Sequence, residues 1–99
     1  MTIKVYEKDG SPVTAPEGKI DHVTVGEFEE KMSELGTHND SLVLDMNDVE
    51  YVSSAALRAI LNANDQVSEK GGSLTLRNVN KKIMEIFNIT GFADYLNIV

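Results

Sequence analysis

The chain has no cysteine and no tryptophan, only two prolines, and no run of apolar residues long enough to cross a membrane as a helix, which takes ~18. Without cysteine there is no disulfide framework, no thiolate metal centre and no cysteine nucleophile, a composition that fits a reducing compartment. The opening residues Met1-Thr2-Ile3-Lys4-Val5-Tyr6-Glu7-Lys8 lack the basic start and apolar stretch of a secretion signal, so a cytoplasmic location is expected. Basic charge is also in short supply: nine Lys and Arg face sixteen Asp and Glu, a net charge of −7. Nucleic acids and anionic membranes attract a basic footprint, so neither is expected as a partner. The expected partner is another protein.

What is present is an ordinary globular composition, 41% hydrophobic and 25% charged, over 99 residues, enough for one domain spanning 1–99. Ile3 and Val5 alternate with polar residues as in a half-buried strand, and the turn cluster Asp9-Gly10-Ser11-Pro12 returns the chain as a hairpin through Val13 to Ala15. Pro16 has no N–H for a ladder, so the second strand should be interrupted, bulged or exposed there. Thr24 and Glu27 have the form of a capping box, ahead of a helix with Val25, Phe28, Met32 and Leu35 on one face and a stop near Gly36. Leu42 to Met46 reads as a buried strand, and Leu57, Ile60, Leu61, Asn64 and Val67 as a helix face that ends at Gly71-Gly72. Ser73 to Arg77 is another strand. Asn78 or Asn80 caps a helix with an Ile83, Ile86 and Phe87 stripe, and Thr90-Gly91 closes it before a short turn with room for a last strand. The order β-β-α-β-α-β-α predicts an α/β fold: a mixed sheet of four to five strands, with an N-terminal hairpin, the remaining strands parallel, and right-handed crossover helices packed on it.

The stretch Tyr51-Val52-Ser53-Ser54-Ala55-Ala56-Leu57 is the focus of the chain, because it puts two serines at a strand-to-helix junction. Serine there caps the first free helix N–H groups, and the same N–H groups also suit an anion. Other chemistries lack their residues. Neither His22 nor His38 stands near the serines in sequence, and no Gly-x-Ser-x-Gly elbow occurs, so a serine hydrolase is not expected. Asp45-Met46-Asn47-Asp48-Val49-Glu50 starts like a calcium loop but puts Val49 at a ligand position and Glu50 where the turn requires glycine. No phosphate-binding glycine loop is present. No metal and no cofactor are expected.

The motif Tyr51 to Arg58, preceded by Leu42-Val43-Leu44-Asp45 and Val49, resembles bacterial anti-sigma factor antagonists, the single-domain STAS proteins. The likeness extends to Gly18-Lys19-Ile20-Asp21, to Gly71-Gly72-Ser73-Leu74-Thr75-Leu76, and to Ile83 to Phe87 followed by Thr90-Gly91-Phe92. The resemblance implies a STAS fold and no enzymatic activity. It implies a protein-binding module that, unphosphorylated, holds an anti-sigma factor and frees a sigma factor. The implied phosphoacceptor is Ser54, with Ser53 as its alternative at a position where many members have Asp, and Ala56 stands where glycine is usual. Asp21, Ser53, Ser54, Ala55, Ala56 and Arg58 are the implied partner-binding residues. The implied partners are an anti-sigma factor that is itself a serine kinase, and a PP2C-type phosphatase. A STAS module in a transporter or stress-signalling assembly, with serine acting only as a cap, is the alternative.

Overall fold

Leu42 and Leu44 on one strand and Leu74 and Leu76 on the next point to the same side of a sheet, and all four are buried. In the computed structural model, which describes residues 1–99, these strands are β4 (Ser41–Asp45) and β6 (Ser73–Arg77). Around them the sheet is completed by β1 (Ile3–Lys8), β2 (Ser11–Pro16) and β7 (Asn97–Ile98), in the order β1-β2-β4-β6-β7. The β1–β2 hairpin is antiparallel and every other pairing is parallel, as expected from the alternation of strands and helices. Three main helices complete the fold, α1 (Val25–His38), α2 (Ser54–Ser68) and α3 (Lys81–Thr90), followed by the short α4 (Phe92–Tyr95). One core of 19 buried residues joins them, with Phe28 and Met32 from α1, Ile60 and Val67 from α2, and Ile83 and Phe87 from α3.

Two further strands were not expected. β3 (Gly18–Ile20) and β5 (Val49–Val52) pair in parallel as a separate ribbon. Pro16 accounts for the change of sheet: β2 ends on it, and after Glu17 the chain turns at Gly18, whose φ of +86° suits glycine, into the ribbon. The serines therefore follow β5 and not β4, which turns at Met46–Asp48 before β5 begins.

Local details depart from expectation for physical reasons. Thr24 makes no capping bond to α1; its hydroxyl donates to the Lys19 carbonyl at 2.7 Å and accepts from the Asp21 N–H at 3.0 Å. Asp21 does the capping instead, one turn earlier. Its carboxylate accepts from the Val23 and Thr24 N–H groups at 2.9 and 3.2 Å, and its carbonyl accepts from Val25 at 2.8 Å. Glu27 turns to the Met1 amine, so there is no capping box. Gly36 does not stop α1, which runs on to His38. A Cβ at Gly36 would lie 2.8 Å from the Gln66 side chain, so this glycine serves the close packing of α1 on α2. The buried side of α2 also differs, because Ala56, Ala59 and Ala63 lie in the core, where Leu61 and Asn64 were expected.

At the end of α2 the two glycines have different duties. Gly71 supplies a φ of +80°, and at Gly72 a Cβ would collide with the Asp40 carbonyl oxygen. On the helix-free face of the sheet, Val13 is fully buried yet outside the main core. A hydrogen bond of 2.7 Å from Arg77 to the Tyr6 hydroxyl spans that face from β6 to β1 and helps to cover it.

Candidate functional site

β3 and β5 run in parallel and in register at Ile20 and Val52, so the residues that follow them, Asp21 and Ser53, emerge side by side. The Ser53 N–H donates to the Ile20 carbonyl at 3.0 Å and locks the two exits together. Each exit starts a helix, Asp21 that of α1 and Ser53 that of α2. Ser53 is the cap of α2: its backbone is extended, and its hydroxyl accepts from the Ala56 N–H at 3.2 Å. Ser54 is the first helical residue, exposed, and its hydroxyl makes no hydrogen bond within the chain.

Two shallow grooves flank this turn. One, of ≈ 270 Å³, is lined by Ser54, Leu57, Arg58, Leu61, Thr90 and Phe92. The other, of ≈ 400 Å³, is lined by Lys19, Asp21, Glu50, Tyr51 and Lys82. Asn80 pins α3 beside them, accepting from the Ile83 N–H at 2.8 Å and donating to the Val49 carbonyl at 3.2 Å. Tyr51 is 48% exposed, a large aromatic beside a polar turn.

Of the residues expected at a partner surface, Asp21, Ser53, Ser54, Ala55 and Arg58 come to this one end of the molecule with some exposure. Ala56 does not, because it is fully buried in the core and its methyl cannot reach a partner. Lys19, Tyr51, Lys82, Thr90 and Phe92 join the site without having been among the expected partner-binding residues, although all but Lys82 stand in the motifs that carry the family resemblance. Their placement depends on the β3–β5 pairing and on α3 and α4, and nothing local in the sequence signals it.

The Asp21 carboxyl is held below the ordinary carboxylate range, chiefly by the Val23 N–H; partial desolvation opposes this, and the Thr24 N–H and hydroxyl assist it. Asp21 is thus an anion engaged by its own turn. Neither His22 nor His38 lines the grooves beside Ser54, so the hydroxyl has no imidazole there to act as a base. Asp45 is spoken for as well: it accepts from the Asn47 N–H and the Asn78 amide and pairs with Arg77. No three His, Asp or Glu side chains converge as a metal-binding group. The arrangement is that of an accessible hydroxyl on a hydrogen-bonded turn, at the rim of one groove and near a second, with apolar and charged linings. Such a surface suits docking of a protein and access of a modifying enzyme.

The chain is 31% identical to the anti-sigma-B factor antagonist of Bacillus subtilis, over 82% of this chain and 74% of that one. Its fold matches an anti-sigma factor antagonist of Mycobacterium paratuberculosis with a TM-score of 0.89, covering 98% of this chain and 83% of that one at 20% identity. It also matches two solved structures of SpoIIAA, one of them described as a Bacillus cell fate determinant. The unphosphorylated form gives a TM-score of 0.77 at 13% identity, covering 99% of this chain and 87% of that one. The phosphorylated form gives 0.76 at 14% identity, covering 99% and 91%. At these identities the structural matches speak to the fold alone. The family model of the STAS domain matches residues 2–99, and the chain belongs to the STAS domain family.

Proposed function

We propose that this protein is an anti-sigma factor antagonist, a protein-binding module switched by phosphorylation of Ser54. The observation that carries the reading is the division of labour in the serine pair. Ser53 is committed to capping α2, while Ser54, one residue on, is exposed and unbonded. The 31% identity to an anti-sigma-B factor antagonist supplies the partner class. In the unphosphorylated state the Ser54 turn and its two grooves dock an anti-sigma factor, and a sigma factor is released. The anti-sigma factor is the kinase that modifies Ser54 with ATP, and a PP2C-type phosphatase reverses the modification. The chain contributes an acceptor and a surface, not a catalytic group, and it works in the cytoplasm.

The switch has a physical basis. A phosphate adds roughly −1.5 to −2 charges. At the first turn of a helix this charge is compatible with the fold, because it meets the positive end of the helix dipole. Within an apposed interface the same charge must be desolvated or must face acidic groups. A penalty of about 3–4 kcal/mol weakens binding a few hundred-fold, enough to exchange partners.

The test is incubation with the cognate anti-sigma factor and ATP, followed by mass spectrometry. One phosphate is expected on the wild type and none on Ser54→Ala. Phosphate on Ser53 in place of Ser54, or equal affinity of wild type and Ser54→Asp for the anti-sigma factor, refutes the reading.

A further inference from the structure

Arg58 lies four residues after Ser54 on α2, so the two side chains share one helix face, and they line the same groove. Side chains on a helix lean toward its N-terminus, which directs the long guanidinium toward the Ser54 hydroxyl and away from the next turn. Arg58 is one of only two arginines. The other, Arg77, is engaged with Asp45 and Tyr6, whereas Arg58 is exposed and forms no ion pair. The first turn of α2 contains no acidic residue that would claim it. The remaining charges at the turn line the neighbouring groove and balance, with Lys19 and Lys82 against Asp21 and Glu50.

We propose that Arg58 is the intramolecular partner of a phosphate on Ser54, a positioning residue that folds the modified side chain back along α2. This rests on the phosphorylation reading above and adds the means by which the modified state is held. An anion placed N-terminal to a cation at i,i+4 is the favourable orientation for a helical pair, and a guanidinium can meet two phosphate oxygens at once. The pairing acts twice. It keeps the phosphate in its doubly charged form toward lower pH, and it withdraws from the groove the one cation there that is available to an acidic partner.

Phosphoserine installed at position 54 during translation tests this without the kinase, so failure here is separable from failure of Ser54 to be phosphorylated. The phosphate is titrated by 31P NMR in the otherwise wild-type protein, in Arg58→Gln and in Arg58→Lys, with the amide spectrum confirming that each is folded. An ordinary phosphoserine has a second pKa of about 6. With Arg58 present it is expected about 0.3–1 unit lower, returning to about 6 in Arg58→Gln and only partly in Arg58→Lys. The difference should shrink in about 1 M salt, where charges are screened within about 3 Å. The same titration in wild type and Arg58→Gln would overturn the proposal.

Discussion

Replacing Ser53 with alanine removes the acceptor of the Ala56 N–H at the start of α2 and should cost about 1 kcal/mol of stability. Replacing Ser54 with alanine removes a hydroxyl that bonds nothing in the chain, and a change within about 0.5 kcal/mol is expected, as for an ordinary surface site. Urea denaturation of the two variants distinguishes the roles; equal losses would show that the pair shares the cap. The contrast bears on the proposed phosphorylation, because a residue that can be modified without loss of the fold must not also be its cap. Asp21 follows the same logic on the neighbouring exit, where its carboxylate is occupied by the Val23 and Thr24 N–H groups. Both helix starts beside the candidate interface are therefore pinned, and the exposed Ser54 hydroxyl stands on a firm base.

At the scale of elements, the glycines separate packing from backbone freedom. Gly26 lies near the start of α1 with open space where a Cβ would go, so Gly26→Ala should raise stability by about 0.5–1 kcal/mol. Gly72→Ala is expected to do the reverse, by about 3 kcal/mol. Its Cβ would be driven into the Asp40 carbonyl, the group that accepts the Ser73 N–H at 2.8 Å and joins the start of β6 to β4. Urea midpoints of the two variants, shifted in opposite directions, are the check. The reading of α2 from apolar spacing placed the helix and the buried Leu57, Ile60 and Val67, but it extended the buried side to Leu61 and Asn64 and left out three alanines. Alanine carries little periodic signal of its own, and Ala56, Ala59 and Ala63 are buried because α1 and the sheet come close on that side.

For the whole molecule, two carboxylates link stability to pH. The Asp21 carboxyl is lowered chiefly by the Val23 N–H. For Asp45, partial burial pushes upward but is outweighed by the Asn78 amide, the Asn47 N–H and Arg77, leaving its carboxyl lowered too. A carboxyl whose pKa is depressed on folding contributes stability that is present above its unfolded value of about 3.9. That contribution is lost as the pH falls through the folded value. Urea midpoints should therefore be flat from about pH 7 to 5 and decline below about 4, with a shallower decline in Asp45→Asn than in wild type. Parallel acid profiles for the two proteins would remove Asp45 from the account. The net charge of −7 is a separate matter: near neutrality and above it repels other polyanions.

Local free energies alone determined a good part of this protein: the hairpin turn at Asp9-Gly10, the apolar faces of α1 and α3, the strands through Leu42–Met46 and Ser73–Arg77, and a cap for α3 at Asn78 or Asn80, of which the structure uses Asn80. Each is a preference settled within a few residues, so periodicity and turn chemistry reveal it. The parallel order of the main sheet was legible for a related reason, since strands joined by helices have few ways to pair. The β3–β5 ribbon was not legible. Its strands have three and four residues, Val49 and Val52 are buried while Glu50 and Tyr51 are exposed, and no alternation marks them. Only long-range pairing stabilises them, and only that pairing sets Asp21 beside Ser53. The sequence marked the serine pair as a junction, and the resemblance it carries implies Ser54 as phosphoacceptor with Ser53 as its alternative. Tertiary structure decided the surroundings: Ser53 fastened to its cap and to Ile20, Ala56 withdrawn into the core, and Ser54 left exposed at the rim of one groove and near a second, because burial and hydrogen-bond geometry exist only once distant segments have met.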